Sequence, residues 1–492
     1  MAERQATLGE LGLTSPSGTV DRIHGLAVDS RAVKQGFLFA ALPGSQIHGA
    51  TFAATAVAKG ATVVLTDAEG AKLVQAEGLP VALVVVEDAR EAFARAAALW
   101  FAAQPEVMVA VTGTNGKTSV ATFIRQIWEA LDIAGINIGT TGVEGAWTAP
   151  SSHTTPDALT LHAMLAAAAA AGVTHAAMEA SSHGIEQRRM DGVRLKAAAF
   201  TNLTQDHLDY HKTMDAYFDA KVALFDRLLP DDGVAVVNLN GARSDEILAR
   251  CAARGLQTLT IGPAESRADF RILSQRFDAT GQDLRFDWQG KTQLVRLNLV
   301  GGFQAENVAV AAGLVIACGA PAEAVFAVLP RLSGVRGRME LAATRQNGAA
   351  VYVDFAHTPD ALETALKALR PHVMGHIHVV FGAGGDRDTT KRPLMGKAAL
   401  TYADKLIVTD DNPRSEDPAS IRAAIMQACP QAQNVGDRAE AILRGVAGLE
   451  AGDALLVAGK GHESGQTIAG HVYPFDDVEQ ASVAVAALDG MI

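Results

Sequence analysis

The chain has 492 residues, which at about 150 residues per domain predicts about three domains. Lys and Arg number 42 against 54 Asp and Glu, a formal charge of −12, which argues against a protein that coats nucleic acid. The 49% hydrophobic and 20% charged fractions argue against disorder, and with aromatics at only 5%, Ala, Val and Leu must fill most of the interior.

Residues 1–90 hold short apolar runs at 36–42, 61–66 and 81–86, separated by Ala-rich helical stretches, and read as a small α/β domain. A helical segment at 89–103 leads into a pronounced strand at 107–112. Strand-like runs at 176–179, 197–202, 233–238 and 258–262 then alternate with helical ones, the pattern of a mostly parallel sheet covered by helices. Period-2 patterning over 268–300 predicts antiparallel hairpins at the sheet edge. The stretch 330–337 reads as a boundary, and four more buried strands are expected near Ala350, His376, Lys405 and Ala454. The expectation is an α/β chain of three domains. These are a small N-terminal domain at 1–90, a central domain at 91–335 with a mostly parallel sheet plus edge hairpins, and a Rossmann-like C-terminal domain at 336–492.

Cys251, Cys318 and Cys429 lie far apart with no CxxC, so neither a disulfide framework nor a thiolate zinc site is expected, and a reducing compartment fits. The start, MAERQATLGE, has two acidic residues and no apolar run, unlike a signal peptide. The Ala-rich stretch 163–171 is about half a membrane span and reads as a packed helix. A soluble, cytoplasmic protein with no stable membrane insertion and no nucleic-acid partner is expected.

Many strand candidates run into polar residues at their carboxyl ends, where open α/β sheets place ligands. Gly113-Thr114-Asn115-Gly116-Lys117-Thr118-Ser119 follows a strand and precedes a helix at 120–131, the context of a phosphate-binding loop. Its backbone N–H groups would cradle ATP phosphates, Lys117 would neutralise them, and the Thr118 hydroxyl suits Mg²⁺. The glycine sits at 113 where the common form has one at 111, here Val111, so the loop is a variant. Glu179 and His207, at or just past strand ends, offer a carboxylate and an imidazole for Mg²⁺ or Mn²⁺; taken singly, an ion-paired carboxylate and a capping or surface histidine are the favoured readings. Lys221 interrupts an apolar stripe of Phe218, Phe225 and Leu228; spacing alone favours a snorkelling lysine over one drawn into a site. Arg387 and Arg414 on neighbouring strand-end loops suit bidentate capture of carboxylates, with surface ion pairs as the plainer explanation.

Taken together, these blocks resemble the Mur ligases almost end to end. Glu179-Ala-Ser-Ser-His, the run from Thr201 to His211, Gly301-Gly-Phe-Gln-Ala-Glu-Asn307, Gly337-Arg-Met-Glu, Asp354-Phe-Ala-His-Thr-Pro-Asp360 and Gly459-Lys-Gly-His-Glu463 stand in family order. The resemblance implies an ATP-dependent ligase of peptidoglycan precursor synthesis that forms an amide through an acyl phosphate, releasing ADP and phosphate. Asp411-Asn412-Pro413-Arg414 is the form associated with meso-diaminopimelate, added to a UDP-linked muramoyl dipeptide; lysine-adding relatives differ there. It further implies uridine-nucleotide contacts at Val28, Ser30 and the Ser45-Gln46-Ile47 loop. Thr154, Thr155, Ser181, Gln187 and Arg189 would hold the pyrophosphate and peptide portion. Asn307, Arg338 and Asp354 are implied at the nucleotide, and Arg387, Asp411, Asn412, Pro413, Arg414, Gly459 and Glu463 at diaminopimelate. Lys221 matches a lysine that becomes carbamylated and, with His207, helps hold a second Mg²⁺, which reverses the reading from spacing. Phe355 stands where the family often has Tyr. A monomer is expected. The rivals are the same chemistry with L-lysine and, from another class, a non-catalytic ATP-binding regulator.

Overall fold

The computed structural model describes residues 4–14, 22–44, 47–151, 153–278 and 280–491. The fold is α/β throughout, with three main sheets. The first is four-stranded and wholly parallel, in the order β1 (Gly25–Ala27), β2 (Phe37–Ala40), β3 (Ala61–Thr66), β4 (Ala82–Val85). Its strands are short and apolar because both faces are covered. Leu38, Val63 and Leu65 are buried with Phe93 and Trp100 of helix Ala89–Phe101.

The second sheet is built on β5 (Val107–Thr112), β6 (Gly135–Gly139), β7 (Gly142–Gly145), β8 (His175–Glu179), β9 (Ala197–Phe200), β10 (Val234–Asn238) and β11 (Gln257–Pro263). These run in the order β11-β10-β9-β5-β8-β6-β7, and among these described strands all pairs are parallel except β6 with β7. β5 therefore lies between β8 and β9, while the chain leaves β5 for β6 on the far side of β8. This is a switch of strand order, where a crevice opens at the carboxyl ends. Small residues on the central strands, among them Ala110, Ala177 and Ala198, let helices close on the sheet.

The antiparallel hairpins expected over 268–300 are β12 (Phe270–Asp278), β13 (Gly281–Trp288) and β14 (Lys291–Leu297). The third sheet holds β15 (Glu340–Thr344), β16 (Ala350–Asp354), β17 (Ile377–Phe381), β18 (Lys405–Val408), β19 (Gln433–Asn434) and β20 (Ala454–Ala458) in the order β15-β16-β20-β17-β18-β19, with β15 antiparallel. A separate hairpin, β21 (Gly465–Ile468) and β22 (His471–Pro474), follows.

By packing, the chain divides into two compact units, 1–262 with 310–325 and 263–309 with 326–492. The hairpin strands β12–β14 extend the second sheet, yet they pack within the second unit, and buried His372 shows one tie that holds them there. Its Nε2 accepts from the Gly301 N–H at 3.0 Å, so the proton is on Nδ1, which donates to the Asp278 carbonyl at 2.7 Å. The cysteines are free, and the Ala-rich stretch lies in helix Ala158–Ala170, packed through Leu161, Leu165 and Ala168. Among the described residues no helix is long and apolar enough to cross a membrane.

Candidate functional site

In the first unit, β5 runs into the glycine-rich loop, and Gly116, in the left-handed region at φ +87°, caps helix Lys117–Ala130. The helix starts three residues earlier than the sequence pattern suggests, so the helix amide end lies directly behind the loop. Lys117 Nζ donates to the Gly113 and Thr114 carbonyls at 2.9 and 2.8 Å, curled over its own loop. Thr118 Oγ1 donates to Glu179 Oε2 at 3.0 Å, and Glu179 Oε1 accepts the Thr140 N–H at 2.8 Å. Glu179 is buried at the end of β8, with Gly139 beside it; a methyl on Gly139 would lie 2.0 Å from Glu179 Oε1. A hydroxyl and a carboxylate side by side next to Lys117 are the donor chemistry of a hard divalent cation beside phosphates. No group of three or more His, Cys, Asp or Glu among the described residues forms a cage, so an ion held here would draw its other oxygens from its ligand.

Lys221 does not snorkel. It is 1% exposed, with Nζ 2.7 Å from the Gly113 carbonyl and 4.3 Å from the Tyr217 ring centre. The lysine does interrupt an apolar stripe, whose Phe218 and Phe225 are buried in the core, but its ammonium reaches the loop rather than water. Burial, and then the neighbouring Lys117 charge, hold its pKa well below the ordinary lysine value. The helix also changes form here: α-helical Met214–Ala223 passes into a π-helical turn, Leu224–Leu228. His207 caps the short helix Leu208–His211 at φ +53°, with its side chain about half exposed, 4.9 Å from the His183 ring and 6.1 Å from that of Tyr217. Lys221 and His207 thus approach the same tyrosine.

The residues assigned to the peptide portion form one connected set. Thr140 Oγ1 and Thr154 Oγ1 are 3.0 Å apart. Thr155 Oγ1 donates to the Glu179 carbonyl at 2.8 Å and lies 3.0 Å from Ser181 Oγ, which caps helix Ser182–Glu186. Arg189 donates to the Thr155 carbonyl at 2.7 Å and to Gln187 Oε1 at 2.8 Å, and Gln187 Nε2 donates to the Tyr210 hydroxyl at 3.2 Å. In the N-terminal sheet region, Ser30 is buried, Val28 is 37% exposed and Ile47 is 58% exposed. Ser45 and Gln46 lie outside the described residues. Asn115, Gly116 and Ser119 complete the loop; the Asn115 N–H donates to Asn202 Oδ1 at 2.9 Å.

In the second unit, Asp354 at the end of β16 accepts the Met339 and Ala356 N–H groups at 2.7 and 2.8 Å; burial raises its pKa, opposed by Arg338. The Arg338 guanidinium stacks 4.5 Å over the Phe355 ring, and Asn307 is held by Gln304 at 3.0 Å. Past β18, Asp411 Oδ1 accepts the Asn412 N–H at 2.7 Å, while the buried Oδ2 has no hydrogen-bond partner among the described residues and faces Gly459, where a methyl would approach within 2.4 Å. Asn412 Nδ2 donates to Glu463 Oε2 at 2.8 Å. After Pro413, Arg414 adopts φ +52° and donates to the Gly385 carbonyl at 2.7 Å. Arg387 lies exposed on the same Gly382–Thr390 loop stretch, in contact with the Asp386 carbonyl at 3.3 Å. Two strand-end loops and the loop after β20 therefore converge on one polar cluster.

The sequence reading missed several members. Thr140 holds Glu179, Asn202 holds the glycine-rich loop, and Lys460, wholly buried, bonds both Asn412 and Glu463. Lys460 lies within Gly459-Lys-Gly-His-Glu463, between Gly459 and Glu463, and that neighbourhood is its sequence signal.

Three family models match: the Mur ligase family catalytic domain over residues 22–101, the Mur ligase middle domain over 111–315, and the Mur ligase glutamate ligase domain over 337–461. The chain is 50% identical over 481 residues to the UDP-N-acetylmuramoyl-L-alanyl-D-glutamate–2,6-diaminopimelate ligase of Caulobacter vibrioides, covering 96% of this chain and 98% of that protein. A solved structure of a protein of that same name superposes with a TM-score of 0.72 at 34% identity, over 99% of both chains. The MurF ligase of Thermotoga maritima, solved in complex with ADP, shares the fold at a TM-score of 0.60 and 15% identity, over 95% of this chain and 98% of that one.

Proposed function

Since the chain belongs to the Mur ligase family, we propose that it is an ATP-dependent ligase. It adds meso-diaminopimelate to UDP-N-acetylmuramoyl-L-alanyl-D-glutamate in peptidoglycan precursor synthesis. The observation that carries this reading is the cluster of Lys117, Thr118, Glu179 and Lys221 around one glycine-rich loop. The similarity to diaminopimelate-adding relatives chooses the amine. We further propose domain limits of 1–90, 91–335 and 336–492, a monomeric state and a cytoplasmic location.

A carboxylate is a poor electrophile, so the γ-phosphoryl of ATP first passes to the terminal carboxylate of the dipeptide, giving an acyl phosphate and ADP. The amine then attacks the acyl carbon and phosphate leaves. In the first step negative charge gathers beside the loop, where the Lys117 ammonium and the loop amides offset it. Lys117 must uncurl from the Gly113 and Thr114 carbonyls to do so. Thr118 and Glu179 would hold one Mg²⁺, and His207 with carbamylated Lys221 a second; these ions would supply further charge neutralisation. Carbamylation needs a neutral amine to attack carbon dioxide, releasing a proton, and the depressed pKa of Lys221 favours that form. Thr154, Thr155, Ser181, Gln187 and Arg189 would orient the dipeptide and its pyrophosphate. Asn307, Arg338 and Asp354 would contact the nucleotide.

In the second step the amine must be held by groups that accept from ammonium and donate to carboxylates. Asp411 and Glu463 supply the first chemistry, Arg387 and Arg414 the second. Lysine has no distal carboxylate to occupy Arg414, which disfavours the L-lysine rival. The test is ATP-dependent phosphate release with the UDP-linked dipeptide and with diaminopimelate, L-lysine or no amine. Release only with diaminopimelate is expected; equal rates with lysine would overturn the choice of amine, and no release with any amine would favour the regulator.

A further inference from the structure

Lys460 is 0% exposed, and its ammonium has three hydrogen-bond acceptors around it. They are Asn412 Oδ1 at 3.2 Å, Glu463 Oε2 at 3.1 Å and the Gly465 carbonyl at 2.5 Å. Three donors meet three acceptors, so the group is saturated and has no proton to offer a ligand. A buried ammonium is costly to keep, and only one of its partners is charged. Its neighbours show what it does. Asn412 Oδ1 also accepts the Thr467 N–H at 2.9 Å. With two donors on that oxygen, the amide can face only one way, and Nδ2 must point at Glu463 Oε2. Glu463 Oε2 then receives both Nδ2 and the Lys460 ammonium, and neither bond engages Oε1.

From the loop after β20, the ammonium closes its own loop onto Glu463 and the start of hairpin β21–β22 and ties both to the loop after β18. That hairpin in turn lies along the loop after β18. The Arg414 N–H donates to the Thr467 carbonyl at 3.0 Å, the Ala469 N–H to the Arg414 carbonyl at 2.6 Å, and Gln466 Nε2 to the Asp411 carbonyl at 2.7 Å. These three ties to the Asp411–Arg414 backbone all come from within ten residues of Lys460.

We propose that Lys460 is a positioning residue for the amino-acid substrate: it fixes the orientation of Asn412 and Glu463, and so the selection of a diamine carrying a second carboxylate, without touching that substrate. The inference rests on the reading of this cluster as the amine site.

The experiment compares full-length wild type, Lys460→Met, which keeps the volume without charge, and Lys460→Gln, which keeps a hydrogen-bonding group. Steady-state kinetics are measured separately for diaminopimelate, L-lysine, ATP and the UDP-linked dipeptide, with circular dichroism of each protein. Lys460→Met should raise KM for diaminopimelate at least tenfold, keep KM for ATP and the dipeptide within about twofold, and narrow the preference for diaminopimelate over lysine. Lys460→Gln should fall between it and wild type. An unchanged KM for diaminopimelate, or parallel changes for all three substrates, would overturn the proposal. So would loss of fold in both variants, which would make Lys460 a stability residue. Absence of diaminopimelate-dependent turnover in the wild type would defeat the functional reading instead, and this inference with it.

Discussion

A lysine buried against a carbonyl and a tyrosine ring is an unusual use of a charged residue, and its chemistry follows from that position. Lys221 gains one hydrogen bond, to Gly113, and loses its water; the neighbouring Lys117 adds repulsion. Replacing it with Ala should reduce ligation by at least about 100-fold, the scale of losing a key electrostatic group, and short-chain carboxylic acids should partly restore turnover by returning an oxygen donor. Full activity without added acid would refute any role in holding a metal. His462 gives a second test at this scale. Its ring lies 5.0 Å from that of Phe355, and burial, with Arg338 and Arg336 nearby, pushes its pKa down to about 4. The unfolded chain binds this proton below about 6.5 while the folded chain does not, so stability present above pH 6.5 is lost as pH falls toward 4. With the partial exposure discounted, the loss by pH 5 is ~1 kcal/mol. His462→Gln should therefore lose less Tm than wild type between pH 7.5 and 5, by a few degrees. Equal losses in both proteins would show that His462 is protonated freely in the fold.

Strand ends do the positioning, and they do it by close approach. β6 brings Gly139 against the Glu179 carboxylate at the end of β8, leaving no room for a methyl. Gly139→Ala should push that carboxylate off the Thr118 hydroxyl, lowering kcat at least tenfold, at an overpacking cost of about 1–3 kcal/mol. Assay at saturating ATP with circular dichroism checks this; normal turnover would mean Glu179 can work from another rotamer. The same closeness explains what sequence alone could reveal. The glycine-rich loop was legible because its parts are contiguous and each has a local reason. The strands near Ala350, His376, Lys405 and Ala454 were legible as buried apolar runs. The bond from the Thr140 N–H to Glu179 joins residues 39 apart, that from Asn115 to Asn202 spans 87, and that from Lys460 to Asn412 spans 48. No local pattern encodes such pairs. Lys221 is the intermediate case: its spacing marked it as odd, but whether its amine faced water or the loop depended on what the sheet placed opposite.

At the scale of the whole molecule, the loop groups proposed for phosphoryl transfer and the groups proposed for the amine lie in different packing units, while Asn307, Arg338 and Asp354, proposed at the nucleotide, lie in the second. Lys117, Thr118, Glu179 and Lys221 lie in the first, while Arg387, Asp411, Asn412, Arg414 and Glu463 lie in the second. If the first set serves phosphoryl transfer and the second serves the amine, a change in the second should leave acyl phosphate formation intact. Arg414 is the sharpest probe. Its backbone is fixed by Thr467 and Ala469, and among the described residues its guanidinium donates one hydrogen bond, to the Gly385 carbonyl, leaving donors for a carboxylate. Charge-assisted bonds of this kind contribute about 1.5–3 kcal/mol, and about 1.4 kcal/mol is a factor of ten. Arg414→Ala should therefore lower kcat/KM for diaminopimelate at least tenfold and change the poor use of L-lysine far less, because lysine presents nothing for Arg414 to bind. Acyl phosphate trapped by borohydride reduction, with ATP and the UDP-linked dipeptide but no amine, should form at the wild-type rate. Equal losses for both amines would make Arg414 a structural residue. Loss of the trapped acyl phosphate would mean that the second unit's loops serve the first step as well.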